Sequence, residues 1–74
     1  MDIHKIGMII RSRRKELGIT QRELAELAGV GYNSLISIER GEGNPTMDVL
    51  NRILDTLGLQ ISIGVKNYEE TENI

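Results

Sequence analysis

Cysteine is absent from this 74-residue chain, which excludes disulfide bonds and thiolate metal sites. His4 is the only histidine, so a zinc site would need carboxylates alone, a ligand set that zinc rarely takes. No apolar run approaches the ~18 residues of a transmembrane helix, and no signal peptide opens the chain. We therefore expect a cytoplasmic protein with no metal, no cofactor and no membrane partner.

The groups that catalysis usually requires are missing as well. There is no cysteine nucleophile, and His4 lies near a terminus, where a general base is poorly held in place. The turn at residues 41–43 does not resemble a nucleotide-binding fingerprint, because no strand and no phosphate-binding helix surround it correctly. We predict that the protein is not an enzyme and has no catalytic residues.

The net charge of -2 conceals an uneven distribution. Residues 1–22 carry six basic and two acidic side chains, a net charge of +4. Residues 23–74 carry three basic and nine acidic side chains, a net charge of -6. A molecule with one basic end is compatible with phosphate binding, and an ordinary mixed-charge surface is the alternative. A chain this short usually needs a staple, a metal or a partner subunit for stability.

Apolar residues recur at three- and four-residue steps in four segments, each of which predicts a short helix. The segments are 2–17, 21–27, 32–40 and 46–57. Gly18 is predicted to end the first helix. Thr20 and Glu23 have the spacing of a capping box at the start of the second helix. Gly29 supplies the left-handed conformation of a sharp turn between the second and third helices.

The pattern changes to a two-residue period after Gly58. Leu59, Ile61, Ile63 and Val65 alternate with polar residues or glycine, as in a strand with one buried face. No other segment offers a convincing second strand, so we expect this one to pair with the same strand of a symmetric copy. We divide the chain into a helical domain, a dimerisation strand and an acidic flexible tail, at residues 1–58, 59–66 and 67–74.

Several motifs at fixed spacing resemble the phage-repressor type of helix-turn-helix family, also called XRE or Cro-like. They are Ile6-Gly7, Arg14, Leu17-Gly18-Ile19-Thr20-Gln21, Leu24-Ala25, Ala28-Gly29, Ile38-Glu39-Arg40-Gly41 and Asn44-Pro45. The resemblance implies an all-α, lambda-repressor-like bundle of about five short helices. With the C-terminal β-strand added, this bundle would form a homodimer that binds double-stranded DNA.

In this family the third helix lies in the major groove, and its first residues contact base edges. Carried over by position, the predicted DNA-binding residues are Thr20, Gln21, Tyr32, Asn33, Ser37, Arg40 and Asn44. Thr20 and Gln21 belong to a phosphate contact at the start of the second helix. Tyr32, Asn33 and Ser37 face the bases. Arg40 and Asn44 bind phosphate after the third helix.

Other roles for these residues stay open at this point. Asn33 is also a favourable residue for the first turn of a helix. Tyr32 has a hydroxyl that suits a phosphate, and Ser37 is short enough to need a bridging water or to bind phosphate instead. Arg22 points outward, and we interpret it as an ordinary solvated charge, with a phosphate contact as the alternative.

Arg14 lies on the apolar face of the first helix, and Glu39 follows Ile38 on the inner side of the third. The resemblance implies that the two charges pair across the core. Such a pair would orient the third helix rather than contact DNA. Removing one partner would leave a buried charge unpaired, which costs about 3–5 kcal/mol.

The helix followed directly by a strand, ILDTLGLQISIGVK, resembles the ending of HipB-type antitoxins. That resemblance implies a palindromic operator in the protein's own promoter and a HipA-like kinase toxin as a partner. One alternative is a stand-alone phage or plasmid repressor, or a restriction-modification controller, with no toxin. Another is a protein-interaction adaptor without DNA binding, which the acidic balance favours.

Overall fold

Four helices joined by short loops make up the computed structural model of the protein, which describes residues 2–66. In chain order they are α1 (Ile3–Glu16), α2 (Gln21–Ala28), α3 (Tyr32–Glu39) and α4 (Met47–Thr56). These bounds confirm the four helical segments predicted from the sequence. The acidic tail predicted at residues 67–74 lies outside the described residues. None of the four described helices is long and apolar enough to cross a membrane.

Polar side chains cap the first turns of three helices. Asp2, Thr20 and Thr46 each accept a hydrogen bond from a backbone N–H two or three residues later, at the starts of α1, α2 and α4. At the other end of α1, Gly18 takes a φ of +72°, a left-handed conformation that strains other residues. The predicted end of α1 at Gly18 is therefore confirmed.

The core is one apolar cluster to which all four helices contribute. Its fully buried members are Ile10, Leu24, Leu35, Ile38, Ile53 and Leu57. Ala25 and Ala28 are buried in the same cluster, on the side of α2 that packs against α3 and α4. The buried side of α3 is thus the one that the apolar spacing predicted, and the opposite side of the helix lies outside the core.

α1 approaches α3 closely at Gly7. A Cβ atom at position 7 would overlap the carbonyl oxygen of Ile38 and press against that of Glu39. α1 is also tied to the end of α4, because Arg13 Nε donates a hydrogen bond to the Leu57 carbonyl at 2.9 Å. α1 therefore packs closely against the C-terminal end of α3 and is hydrogen-bonded to the end of α4.

One prediction about the fold is wrong for the described chain, and a second, the strand that pairs between two copies, is not tested by a single copy. Residues 2–66 contain four helices rather than five, and residues 59–66 form no strand within one copy. A fifth helix would need apolar residues three and four apart, whereas this segment alternates with a period of two. A strand needs the backbone groups of a neighbouring strand, and the described part of one copy supplies none. Leu59 and Ile61 still pack against the core and are half-buried.

Candidate nucleic-acid interface

The turn between α2 and α3 sets the direction in which α3 leaves the core. Gly29 has a φ of +70°, which is strained for any residue with a Cβ. The Val30 N–H donates to the Ala25 carbonyl at 3.0 Å and closes the end of α2. α3 begins two residues later at Tyr32, so its N-terminal end has little freedom to move relative to α2.

The start of α2 is held by the predicted capping box. The Thr20 N–H donates to Glu23 Oε1 at 2.8 Å, and the Glu23 N–H donates to Thr20 Oγ1 at 3.1 Å. The hydrogen bond that the Thr20 N–H donates to the Glu23 carboxylate is the largest cause of a lowered pKa at Glu23, and an interaction of the carboxylate with the Thr20 side chain adds to it. The charged carboxylate is thereby stabilised at the first turn of α2.

A buried ion pair joins α1 to α3. Arg14 Nε donates to Glu39 Oε2 at 2.8 Å, and Arg14 Nη2 donates to Glu39 Oε1 at 3.0 Å. The two side chains are 10% and 2% exposed. The hydrogen bond to Glu39 is the largest cause of a raised pKa at Arg14; desolvation opposes it and the charge attraction adds to it. The pairing that the family resemblance implied is confirmed.

Gln21 takes part in the same network. Its side-chain Nε2 donates to Glu39 Oε1 at 3.1 Å, while Arg14 Nη1 donates to the Ile19 carbonyl at 2.9 Å. The first residue of α2 is therefore fastened to the last residue of α3 through one carboxylate. The sequence prediction treated Gln21 as a phosphate contact and missed this bond. The amide oxygen and the second N–H of Gln21 stay available to a ligand.

The two sides of α3 differ sharply in exposure. Its buried residues are Leu35, Ile38 and Glu39. Asn33 and Ser34 are exposed on its first turn, and Tyr32 and Ser37 are half-buried. The side chain with the best chemistry for reading adenine, Asn33, is thus open to solvent at the N-terminal end of the helix.

A polar cleft of about 450 Å³ lies between α1, α2 and α3. Its lining residues are Arg11, Arg14, Gln21, Tyr32, Ile36, Glu39 and Arg40. The cleft brings together three predicted DNA-binding residues, which are Gln21 on α2, Tyr32 on α3 and Arg40 at the C-terminal end of α3. Sequence reasoning missed Arg11, although its position one turn before Arg14 on α1 and the positive charge of residues 1–22 were signals for it.

The six arginines fall into two groups. Those that donate side-chain hydrogen bonds within residues 2–66 are Arg13, Arg14 and Arg52. Of the others, Arg11 and Arg40 are exposed and line the cleft. Arg22 lies over the ring of Tyr32, which lines the same cleft. The arginines without an internal hydrogen bond in the described chain are therefore gathered on one side of the molecule.

The remaining predicted residues lie elsewhere around α3. Ser37 and Asn44 line a second concavity of about 370 Å³, between α3 and the loop that leads to α4. Thr20 is exposed at the N-cap of α2, where its hydroxyl serves the capping box. The predicted set thus surrounds the exposed side of α3 rather than forming one pocket. No group of three histidine, aspartate or glutamate side chains within residues 2–66 has the arrangement of a metal site.

Comparison with known proteins gives a consistent result. The family model HTH_3, described as Helix-turn-helix, matches residues 10–63. An uncharacterized HTH-type transcriptional regulator of Methanothermobacter thermautotrophicus is 46% identical over 50 residues, covering 68% of this chain and 72% of that protein. The immunity repressor protein of Bacillus phage phi105 is 39% identical over 57 residues, covering 77% of this chain but only 40% of the repressor.

A solved structure shows the same fold. The crystal structure of the clp gene regulator ClgR from C. glutamicum has a TM-score of 0.73 and 32% sequence identity to this chain. The similarity covers 80% of this chain and 76% of the ClgR chain. The matched residues 10–63 include α2, the turn and α3 in full, so these comparisons concern the same elements that build the cleft.

Proposed function

This chain belongs to the helix-turn-helix family of transcriptional regulators, and we propose that it is a cytoplasmic repressor that binds an inverted-repeat operator as a homodimer. The observation that carries the proposal is the exposed first turn of α3, which lies beside the arginine-lined cleft on a helix whose last residue is fixed by the buried Arg14–Glu39 pair. A relative of this domain carries the name of an immunity repressor. Repression then follows from occupation of the promoter.

The division of exposed residues around α3 supports a specific mode of DNA binding. In helix-turn-helix proteins the recognition helix enters the major groove with its N-terminal residues on base edges. In that orientation Asn33 reads a base, with Tyr32 and Ser37 beside it. Arg40 and the second N–H of the Gln21 side-chain amide bind backbone phosphates on the cleft side. The other residues with phosphate roles are Thr20, Asn44 and Arg11.

Binding assays can test this assignment with a duplex that the wild-type protein selects from a random-sequence pool. We expect Asn33→Ala to cost about 1–3 kcal/mol of binding free energy on the selected duplex and almost nothing on a scrambled duplex.

We expect Arg40→Ala to weaken binding to both duplexes. It should also reduce the slope of log affinity against log salt concentration by about 0.9 for each phosphate that the variant no longer neutralises. If no duplex is enriched at low or moderate salt, the adaptor alternative replaces the repressor proposal.

The C-terminal segment supports the dimer. Leu59 and Ile61 pack on the core, whereas Ile63 and Val65, which follow at the same two-residue spacing, are 89% and 97% exposed. Within the described chain, the last backbone hydrogen bond outside the helices is donated by Leu59, to Leu54 at 2.8 Å. Residues 60–66 thus offer apolar side chains and free backbone groups together. An antiparallel pairing of two such segments satisfies both.

An apolar groove next to this segment supports the same arrangement. It measures about 240 Å³ and its apolar lining residues are Ile6, Ile9, Leu54, Leu59 and Ile61. Met8 and Ile9 are exposed on the adjoining surface of α1. The dimer places two recognition helices about 34 Å apart, one turn of DNA, which is the reason for expecting an inverted repeat.

Size-exclusion chromatography with light scattering tests the dimer directly. We expect a dimer at micromolar concentration, and a monomer for Gly64→Pro, because proline removes a backbone N–H that the paired strand needs. Gly64→Ala retains that N–H and meets no atom within 4 Å, so it is the matched control and should remain dimeric. A wild-type monomer at micromolar concentration contradicts the proposal.

The two-residue period of residues 59–66, directly after α4, is the feature from which we infer the antitoxin role rather than a stand-alone repressor. In this role the homodimer binds a HipA-like kinase toxin as well as DNA. Co-expression with a kinase-like toxin encoded beside its gene should restore growth that the toxin alone arrests, and the two proteins should co-purify. Arrest that persists although both proteins are produced would leave the stand-alone repressor or the restriction-modification controller as the better proposal.

A further inference from the structure

Arg22 and Tyr32 touch across the gap between α2 and α3. The guanidinium carbon of Arg22 lies over the Tyr32 ring, 4.2 Å from its centroid. Arg22 is the second residue of α2, and Tyr32 is the first residue of α3. A cation at this distance from a ring face is attracted by the negative face of the π-system. The contact therefore joins the N-terminal ends of the two helices.

The local sequence offers Arg22 a different partner. Glu26 follows four residues later on α2, a spacing at which opposite charges on a helix often pair. The ion pairs formed within residues 2–66 do not include Arg22. Its guanidinium lies over the Tyr32 ring instead, at the edge of the cleft that this ring lines. An ordinary solvated charge, as interpreted from the sequence, does not account for this position.

The ring contact leaves the hydrogen-bonding capacity of Arg22 unused. A guanidinium carries five N–H donors, and attraction to a ring face consumes none of them. The arginine side chains that donate hydrogen bonds within the described chain are Arg13, Arg14 and Arg52. Arg22 is therefore positioned by its contact with Tyr32 while its donors are free for a planar, two-point contact with a phosphate.

We propose that Arg22 and Tyr32 act as one coupled unit on DNA, in which Arg22 binds a backbone phosphate and positions the Tyr32 ring toward the bases. The helix positions suit this division, because α2 lies beside the DNA backbone and α3 enters the groove in this fold. A phosphate bound at Arg22 fixes the guanidinium, which in turn fixes the ring. The inference rests on the proposed DNA binding and adds a positioning residue to it.

A double-variant cycle measures the coupling. Arg22→Ala, Tyr32→Ala and the double variant are titrated with the selected duplex and the scrambled duplex at several salt concentrations. We expect each single variant to lose about tenfold in affinity for the selected duplex, the scale of one base contact. The double variant should also lose about tenfold rather than a hundredfold, because each single change already breaks the unit.

The salt dependence separates this role from a purely structural one. Arg22→Ala should reduce the log–log slope by about 0.9 for each subunit bound, whereas Tyr32→Ala should leave more of the slope intact. Tyr32→Phe keeps the ring face, so it should retain the coupling to Arg22. Arg52→Ala is the matched control, because it removes an exposed arginine that pairs with Asp48 on α4 and should change neither affinity nor specificity.

Independent losses that multiply in the double variant would overturn the proposal. An equal loss on selected and scrambled duplexes for Arg22→Ala would also overturn it, because Arg22 would then be a phosphate contact without influence on Tyr32. Thermal melting of every variant verifies that the fold is retained. If the wild-type protein enriches no duplex, the repressor proposal fails; if it does and the coupling is absent, only this inference fails.

Discussion

The junction of α1 with α3 and the C-terminal segment 59–66 differ in whether their side chains find partners within one copy. At the junction, the charged groups of the buried pair find their partners within the chain, and the Gly7 backbone lies directly against α3. In the C-terminal segment, apolar side chains that continue the pattern of Leu59 and Ile61 are almost fully exposed. One region is complete in a single copy, and the other would be completed in the proposed dimer.

Under the proposed function, the first region orients α3 within a subunit, and the second joins the two subunits. The junction fixes α3 within one subunit, so a lone copy already presents Asn33. The segment 59–66 makes few contacts with the helical domain beyond Ile61. Changes in the first region should therefore alter folding, and changes in the second should alter assembly while leaving the fold intact.

Arg14→Met should have the largest effect on folding. It leaves the Glu39 carboxylate buried with only the Gln21 amide as a side-chain partner, at a cost of about 3–5 kcal/mol. Urea denaturation followed by circular dichroism measures the change in the free energy of unfolding. An unchanged unfolding midpoint would show that the pair is not buried in solution.

The double variant Arg14→Met/Glu39→Leu is the control for that experiment. It removes both charges, so no unpaired charge is left in the core, and most of the stability should return. A double variant as unstable as Arg14→Met alone would mean that the packing of the Arg14 side chain, rather than the unpaired charge, causes the effect. The comparison therefore isolates the electrostatic part of the junction.

Gly7→Ala should have the next largest effect. The added methyl group has no room beside the Ile38 carbonyl, and forced separation of packed elements costs about 1–3 kcal/mol. The same change at Gly64, where no atom lies within 4 Å of the new Cβ, should leave the melting temperature almost unchanged. Equal effects at the two positions would remove the distinction between the two regions.

Periodicity and capping chemistry predicted most of the fold. The Thr20–Glu23 capping box, the turn at Gly29 and the inward side of α3 at Leu35 and Ile38 each follow from residues close in sequence. Such features depend on local geometry, so the pattern alone determines them. The Arg14–Glu39 pair came from the family resemblance, since spacing places both residues inward but does not bring them together.

The missed features all depend on how distant helices meet. The bond from Gln21 to Glu39 and the stacking of Arg22 on Tyr32 require the crossing of α2 and α3 to be known closely. Arg11 is placed at the cleft by the crossing of α1 over α3. The period of residues 59–66 was visible in the sequence. A strand also needs backbone hydrogen bonds from a neighbouring strand, however, and the periodicity of one segment does not show where that neighbour lies.

Glu23→Gln tests a smaller contribution to stability, which is that of the capping box at the start of α2. The capping bonds lower the pKa of Glu23, so the folded state favours the charged carboxylate more than the unfolded state does. This stabilisation is present above the unfolded pKa of about 4.3 and is lost as the pH falls through the lower, folded-state pKa. Glutamine keeps the capping geometry without the charge.

Melting temperatures of the wild type and of Glu23→Gln from neutral to acidic pH measure that contribution. The wild type should melt at a higher temperature at neutral pH, and the difference should shrink as the solution is made more acidic than the ordinary range of glutamate. A difference that does not vary with pH would contradict the proposed role of the carboxylate.

Ile63→Asp should have the smallest effect on the fold and a decisive effect on assembly. Because Ile63 is 89% exposed in one copy, the free energy of unfolding of the monomer should change by less than about 0.5 kcal/mol. In the proposed dimer the same side chain would be buried, and its loss from each subunit would cost about 1.5–3 kcal/mol. Light scattering should therefore find a folded monomer. Ser62→Asp, on the alternate side of the extended chain, should remain dimeric, and a dimer for both variants would mean that another surface joins the copies.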